Sequence, residues 1–164
     1  MGLKPRRGWK AAGALLSVYL LLIASITLAA PDKPWDAFPA GCPRESNCTR
    51  VADYSVRGEG LAPLRLAAAR DDVQTALEAW LENQPRTRIL NSQEGFVHAV
   101  QRTAFFRFPD DFTFKLFCEG EETIIQVQSQ SRLGVSDFGV NEKRVHGFYT
   151  GFDASALAPG NCAG

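Results

Sequence analysis

The distribution of apolar residues separates an N-terminal segment from the rest of the chain. Residues 11–30 are almost entirely apolar, and Ser17, Ser25 and Thr27 are the polar interruptions. At about 1.5 Å per residue, twenty helical residues extend roughly 30 Å, which is the thickness of the hydrocarbon core of a bilayer. This segment is therefore predicted to be a signal-anchor or signal-peptide helix. A buried helix of a soluble domain is not expected, because no polar face interrupts the run.

Apolar residues spaced three and four apart predict two further helices. The first begins after the N-cap candidates Asp71 and Asp72 and ends before Pro85. The second begins near Asn141. Their apolar stripes consist of Val73, Ala76, Leu77, Trp80 and Leu81 in the first and of Val145, Phe148, Tyr149 and Phe152 in the second.

Between these helices, alternating and β-branched segments predict about four strands. The strands are placed at residues 86–90, 96–106 and 112–118 and from Ile125 onwards, and 40–70 is interpreted as an extended arm. Short hairpin links between the strands favour antiparallel pairing. The prediction is an α+β fold, in which an antiparallel sheet of about four strands is flanked by an N-terminal and a C-terminal helix.

The charges are unevenly distributed along the chain. Residues 1–30 contain Lys4, Arg6, Arg7 and Lys10 and no acid, although the whole chain has a net charge of zero. The remainder therefore carries a net charge of −4. A basic cluster before an apolar run keeps the N-terminus cytoplasmic and places the following residues across the membrane. The acidic remainder argues against a nucleic-acid partner.

These features predict three regions: a signal anchor or signal peptide at 1–30, a linker rich in Pro and Asp at 31–40, and one exported α+β domain at 41–164. The residues before Pro31 form a poor cleavage site. An uncleaved anchor in the cytoplasmic membrane is therefore favoured, with the domain in the periplasm or an equivalent compartment. The alternative is cleavage and secretion.

Four cysteines in an exported domain favour disulfides. Cys42 and Cys48 enclose a short loop with turn-forming residues and could close it as a small ring. Cys118 and Cys162 would then pair by elimination, although four cysteines allow three pairings. A zinc site is not predicted, because the cysteines lack the usual close spacing. No metal or cofactor is expected.

Several stretches of the chain resemble the domain-of-unknown-function family 1499. The longest is SQSRLGVSDFGVNEKR at residues 129–144, and the others are FRFPDD at 106–111, PRTR at 85–88 and the Cys-Pro and Asn-Cys pairs between Cys42 and Cys48. Cys118 and Cys162 are additions to the family pattern. The resemblance implies an exported or membrane-linked bacterial domain, or one in the thylakoid lumen of a plastid. It implies no established activity.

The segment 129–144, termed the signature segment below, holds the candidate site residues. Ser129 and Ser131 share a strand face with Ile125 and Val127, and buried hydroxyls require hydrogen-bond partners. The following loop and helix start contain the other candidates: Arg132, Asp137, Asn141 and Arg144. Two arginines beside a helix N-terminus could bind a carboxylate or phosphate. Alternatively, Asp137 or Asn141 caps the helix and Arg132 pairs with Asp137 to hold the loop.

Three functions remain open. The first is a non-catalytic module that binds a small amphipathic or anionic ligand in an apolar pocket between the sheet and the helices. The second is a membrane-tethered interaction domain that recognises an envelope protein through an outward Gln126, Gln128 and Gln130 face. The third is a hydrolase or transferase that uses the signature segment. Asp110-Asp111 is interpreted as a solvated turn, and His98 as a packed residue without an acidic partner.

Overall fold

The computed structural model describes residues 7–163. Its three helices are α1 (Arg7–Ala29), α2 (Arg70–Glu82) and α3 (Val140–Gly151), and a short 3-10 turn occupies Glu45–Asn47. The strands are β1 (Cys48–Val51), β2 (Ser55–Val56), β3 (Leu64–Leu66), β4 (Thr87–Gln93), β5 (Phe96–Arg102), β6 (Pro109–Glu119) and β7 (Glu122–Ser131). The chain therefore has the predicted α+β architecture, with an apolar helix at its N-terminus.

The sheet is antiparallel, as expected, but it has seven strands instead of about four. Its order is β2-β1-β7-β6-β5-β4, and β3 also pairs with β7. The three additional strands come from the region interpreted as an extended arm. They are two to four residues long, which is too short for an alternating pattern to be recognised. Strands β1 and β3 are ordered by pairing with β7, and β2 is ordered by pairing with β1.

Both α2 and α3 lie on one face of the sheet. Val73, Leu77 and Leu81 of α2 are fully buried, as the predicted stripe requires. Phe148 of α3 lies 5.1 Å from the ring of Phe114 on β6. Within residues 7–163, these side chains fill the layer in which an apolar ligand pocket was expected. The binding hypothesis therefore cannot rely on a cavity between sheet and helices.

The opposite face of the sheet is covered by the segment between α1 and β1. Gln128 is fully buried there and donates a hydrogen bond to the carbonyl of Gly41. Gln130 is 9% exposed. The predicted outward glutamine face is thus wrong for these two residues, because alternation specifies which side chains share a face but not what covers it.

The turn predicted at Asp110-Asp111 is also wrong. Both residues lie inside β6, where they pair with Gln101 and Val100 of β5, and both are 1% exposed. Pro109 begins the strand, a position where the missing N–H of proline is tolerated. The strand therefore begins three residues before Phe112, where the predicted strand started.

Both expected disulfide pairs are confirmed. Cys42 is bonded to Cys48, and Cys118 at the end of β6 is bonded to Cys162. The N–H of Cys162 also donates to the carbonyl of Glu121. The second disulfide therefore attaches the C-terminal segment to the β6–β7 hairpin.

The N-terminal helix α1 is largely exposed. Residues Trp9–Ala29 are apolar enough and long enough to cross a membrane, with a mean hydropathy of 2.2 and 6% of the span buried. The helix nevertheless contacts the domain, since the Tyr19 hydroxyl donates to the carbonyl of Phe105 at 2.7 Å. The Tyr19 and Phe105 ring centroids lie 5.4 Å apart.

Candidate functional site

Four of the predicted site residues meet beneath the start of α3. The Ser129 hydroxyl, which points to the helix-covered face of β7, donates to Asn141 Oδ1 at 2.6 Å. Arg144 Nη1 donates to the same Asn141 oxygen at 2.6 Å and to Ser129 Oγ at 2.8 Å. The Asn141 amide nitrogen donates to Ser131 Oγ at 3.0 Å and to the carbonyl of Asn47 at 2.9 Å. Ser131 therefore belongs to the same network.

Asp110, which the sequence analysis assigned to a turn, completes this network. Arg144 Nη2 donates to Asp110 Oδ2 at 2.8 Å, and the two side chains are only 6% and 2% exposed. Asp110 precedes Phe112 by two residues, so both side chains lie on the helix-covered face of β6. Extending the alternation through Pro109 would have placed Asp110 there. The buried guanidinium of Arg144 is thus neutralised within the protein.

Asp137 caps α3. Its carboxylate accepts hydrogen bonds from the backbone N–H of Gly139 at 3.2 Å and of Asn141 at 2.8 Å. Arg57, which follows β2, donates to the same carboxylate at 2.9 Å. The helix N-terminus proposed as an anion site therefore already holds a carboxylate of the protein itself. Arg57 could not be foreseen, because it lies 80 residues away in the chain.

Arg132 lies on the opposite face of the sheet and does not pair with Asp137. Its guanidinium donates to Asp111 at 2.6 Å and to Asp32 at 3.0 Å. The predicted Arg132–Asp137 pair is therefore wrong. Asp137 follows Arg132 by only five residues, but the side chains leave the loop in different directions. Asp111 and Arg132 form a separate ionic cluster with the segment that follows α1.

His98 also belongs to this second cluster, contrary to the expectation that it lacks an acid. His98 Nε2 lies 2.7 Å from Asp111 Oδ1, and the imidazole is fully buried. The backbone N–H of Trp35 donates to His98 Nδ1 at 3.0 Å, and the Trp35 and His98 rings stack with their centroids 4.7 Å apart. Because Nδ1 accepts a hydrogen bond, Nε2 carries the proton and donates to Asp111.

The pKa values of three carboxyl groups in these networks are shifted, and not all in the same direction. Burial raises the pKa of Asp110 above its ordinary value, although the charge of Arg144 acts in the opposite direction. Burial would also raise the pKa of Asp137, but the N–H of Asn141 and the Arg57 guanidinium outweigh it and lower that pKa. The pKa of Asp32 is likewise lowered, because Arg102, Arg132 and Arg88 outweigh the effect of burial.

The loop of the signature segment separates two concave regions of the surface. On one side lies an apolar cavity of about 510 Å³, whose walls include Phe106, Phe108, Leu133, Val135, Phe138 and Val140. Asp110, Ser131 and Asp137 also border it. On the other side lies an open cleft of about 560 Å³ beside Lys33, Arg44 and Arg132. Ser131, Leu133 and Gly134 border both regions.

The polar side chains beneath α3 form a closed hydrogen-bond network beside an apolar cavity. The hydroxyl of Ser129 contacts Asn141 and Arg144, neither of which can accept its proton as a general base. No group of three or more His, Cys, Asp or Glu side chains within the described part of the chain is arranged to hold a metal ion. The volume of the apolar cavity lies in the range of small-molecule sites.

Comparison with known proteins gives one match. A family model described as a protein of unknown function, DUF1499, matches residues 40–152, a region that runs from the first cysteine pair to the end of α3. Neither the search of curated proteins nor that of solved structures returned a match. The match covers more than half of the chain and includes all the candidate residues of the signature segment. The protein therefore belongs to the DUF1499 family.

Proposed function

We propose that this protein is a membrane-anchored, exported binding module whose ligand is a small amphipathic molecule. The observation that carries the proposal is the apolar cavity of about 510 Å³ beneath the signature segment. A water-exposed cavity with mainly aromatic and aliphatic walls is unfavourable to hydrate, whereas a hydrocarbon chain would be stabilised there. The polar groups of Ser131 and Asp137 border the same cavity and would limit how far the apolar part of the ligand extends.

An exported location is supported by the N-terminal region and the cysteines. The apolar part of α1 follows a basic cluster and is long enough to anchor the chain. All four cysteines are paired, which suits an oxidising compartment outside the cytoplasm. The contact between Tyr19 and Phe105 favours an α1 that stays attached to the domain over one that is cleaved.

The polar part of the ligand is proposed to bind in the cleft on the other side of the loop. Lys33 and Arg44 are both exposed at this cleft, so an anionic head group would be attracted to it. Arg132 and Arg144 already pair with carboxylates of the protein, which makes them poor ligands for a free anion. These pairings favour an amphipathic ligand over a small inorganic anion.

The proposal can be tested by native mass spectrometry of the full chain released from a mild detergent. We expect wild type to retain a molecule of lipid size, or to take up lysophosphatidic acid when none is retained. Leu133→Trp places an indole at the wall between cavity and cleft and should abolish the adduct. Ala156→Trp adds the same group at an exposed position beyond the other end of α3 and should retain it.

The wild type decides the outcome. If it carries no adduct after purification and none after incubation with lysophosphatidic acid, the proposed function is wrong. An adduct that persists unchanged in Leu133→Trp would contradict the cavity as the binding site. Circular dichroism of both variants shows whether the fold is maintained.

A further inference from the structure

Two neighbouring loops expose an unusual amount of apolar surface. They are residues 103–108, which follow β5, and residues 133–138, which follow β7, and together they are termed the aromatic loops here. Their exposed fractions are 64% for Phe105, 44% for Phe106, 38% for Phe108, 70% for Val135 and 91% for Phe138. A contiguous apolar patch of this kind marks a surface that is covered in the functional state. Both loops also form the walls of the apolar cavity.

The position of α1 indicates what covers them. Tyr19, which contacts Phe105, lies ten residues before Ala29 at the end of α1. At a rise of 1.5 Å per residue, the contact lies about 15 Å along the helix from that end, which is roughly half the thickness of a hydrocarbon core. When α1 crosses a bilayer, the side chain of Phe105 must therefore lie below the surface of that bilayer.

The connection between α1 and the domain holds this arrangement in place. Asp32, three residues after the end of α1, accepts hydrogen bonds from Arg102 at 2.8 Å and from Arg132 at 3.0 Å. Arg88 forms a third ion pair with the same carboxylate. Arg102 and Arg132 are also the residues that directly precede the two aromatic loops. One carboxylate close to the membrane surface thus fixes the starting points of both loops.

We propose that the exposed apolar side chains of the aromatic loops insert into the hydrocarbon region of the bilayer that α1 crosses. The apolar cavity then faces acyl chains instead of water, and an amphipathic ligand enters it laterally from the membrane. The part of this inference that concerns ligand entry rests on the proposed function. The immersion of the loops rests only on the membrane anchor in that proposal, together with the Asp32 contacts and the exposed side chains.

The one charged side chain in the first loop is compatible with this placement. Arg107 lies between Phe106 and Phe108 and is half-buried. A long arginine side chain can keep its apolar stem in the hydrocarbon and extend its guanidinium towards the head groups. Arg107 can therefore direct its charge towards the membrane surface while its neighbours remain in the apolar region.

The immersion can be tested by fluorescence quenching in lipid nanodiscs. Phe105→Trp and Phe138→Trp each place an indole in one aromatic loop, and Tyr54→Trp is the control, because Tyr54 is 46% exposed on the turn between β1 and β2. Each full-length variant is reconstituted in phosphatidylcholine–phosphatidylglycerol discs with or without bromine atoms on the acyl chains. The emission of the wild type is subtracted, since the chain has three native tryptophans.

We expect brominated lipid to remove most of the added emission of Phe105→Trp and Phe138→Trp and to leave that of Tyr54→Trp unchanged. Bromine atoms near the middle of the acyl chains should quench Phe105→Trp more strongly than bromine atoms near the head groups. If both loop variants are quenched no more than Tyr54→Trp, the loops lie outside the bilayer and the inference is wrong.

The result is independent of ligand binding. Quenched loops in a protein that retains no lipid adduct would leave the immersion intact and refute the proposed function. A lipid adduct in a protein with unquenched loops would support the proposed function and refute the immersion. Two loop variants are used because a single substitution could disturb the contact between Phe105 and Tyr19.

Discussion

Replacing Arg144 by methionine tests whether the buried network beneath α3 is an essential part of the fold. The guanidinium of Arg144 contacts Asp110, Ser129 and Asn141, and its side chain is 6% exposed. Methionine retains the unbranched apolar stem but removes all of these hydrogen bonds. The carboxylate of Asp110 would remain buried without its cation.

The expected loss can be estimated from this geometry. Breaking a buried ion pair by removing one partner costs about 3–5 kcal/mol, mainly because the other charge stays desolvated. A domain of this size is stable by roughly 5–15 kcal/mol, so Arg144→Met should remove a large part of the stability. In Arg144→Met/Asp110→Asn both charges of this buried pair are removed, and part of the loss should be recovered.

Arg65→Met is the matched control. Arg65 pairs with Glu119 and Glu122, but its side chain is 49% exposed. Exposed pairs contribute about 0–1 kcal/mol, so this variant should unfold almost as wild type does. The same residue change is therefore compared in a buried and in a solvated environment.

The assay is urea unfolding of the full chain in nanodiscs, followed by near-ultraviolet circular dichroism at several pH values. Burial already raises the pKa of Asp110, and the loss of Arg144 would raise it further. In the variant, Asp110 becomes neutral as the pH falls through this raised pKa, so the deficit of Arg144→Met should shrink towards acidic pH. The reasoning is refuted if Arg144→Met loses no more stability than Arg65→Met, or if Asp110→Asn restores nothing.

Two further predictions concern the cap of α3 and the disulfides. The pKa of Asp137 is lowered, so its contribution to the unfolding free energy is present above its unfolded pKa near 3.8 and is lost as the pH falls through the folded value. Asp137→Asn should therefore be less stable than wild type at neutral pH. Urea unfolding that shows an equal deficit in strong acid would contradict this prediction. Removing Cys118–Cys162, whose residues are 44 apart, should cost about 4 kcal/mol, and removing Cys42–Cys48, six apart, about 2 kcal/mol on loop length alone. Denaturation of the two double-alanine variants measures the stability lost with each disulfide. An equal loss in the two variants would contradict the prediction.

The parts of the fold with a regular pattern were predictable from the sequence. The stripe of α2 specifies its buried face, and the alternation in β6 and β7 specifies which side chains share a face, because a helix repeats every 3.6 residues and a strand every two. Strands β1, β2 and β3 have no such signal, since two to four residues are too few for a period. They are ordered by hydrogen bonds to β7 and to one another.

The candidate site was predicted only in part. Ser129, Asn141 and Arg144 were expected to cluster, because they lie close in sequence at a strand–loop–helix junction. Their acidic partner Asp110 escaped prediction, since a Pro-Asp-Asp sequence is typical of turns. Arg57 and Asp32 come from distant segments, and no local pattern predicts which charged groups meet across 80 or 100 residues.

The sequence by itself determined the apolar N-terminal helix, the asymmetry of charge, the α+β class and the position of the signature segment. These features depend on composition and on short periodic patterns, which residues close together in the sequence define. Tertiary structure alone decided that Arg132 and Arg144 lie on opposite faces of the sheet, that the segment after α1 covers His98 and Gln128, and that Phe105 lies beside Tyr19. Such contacts join residues far apart in sequence, and they depend on how the whole sheet twists and packs.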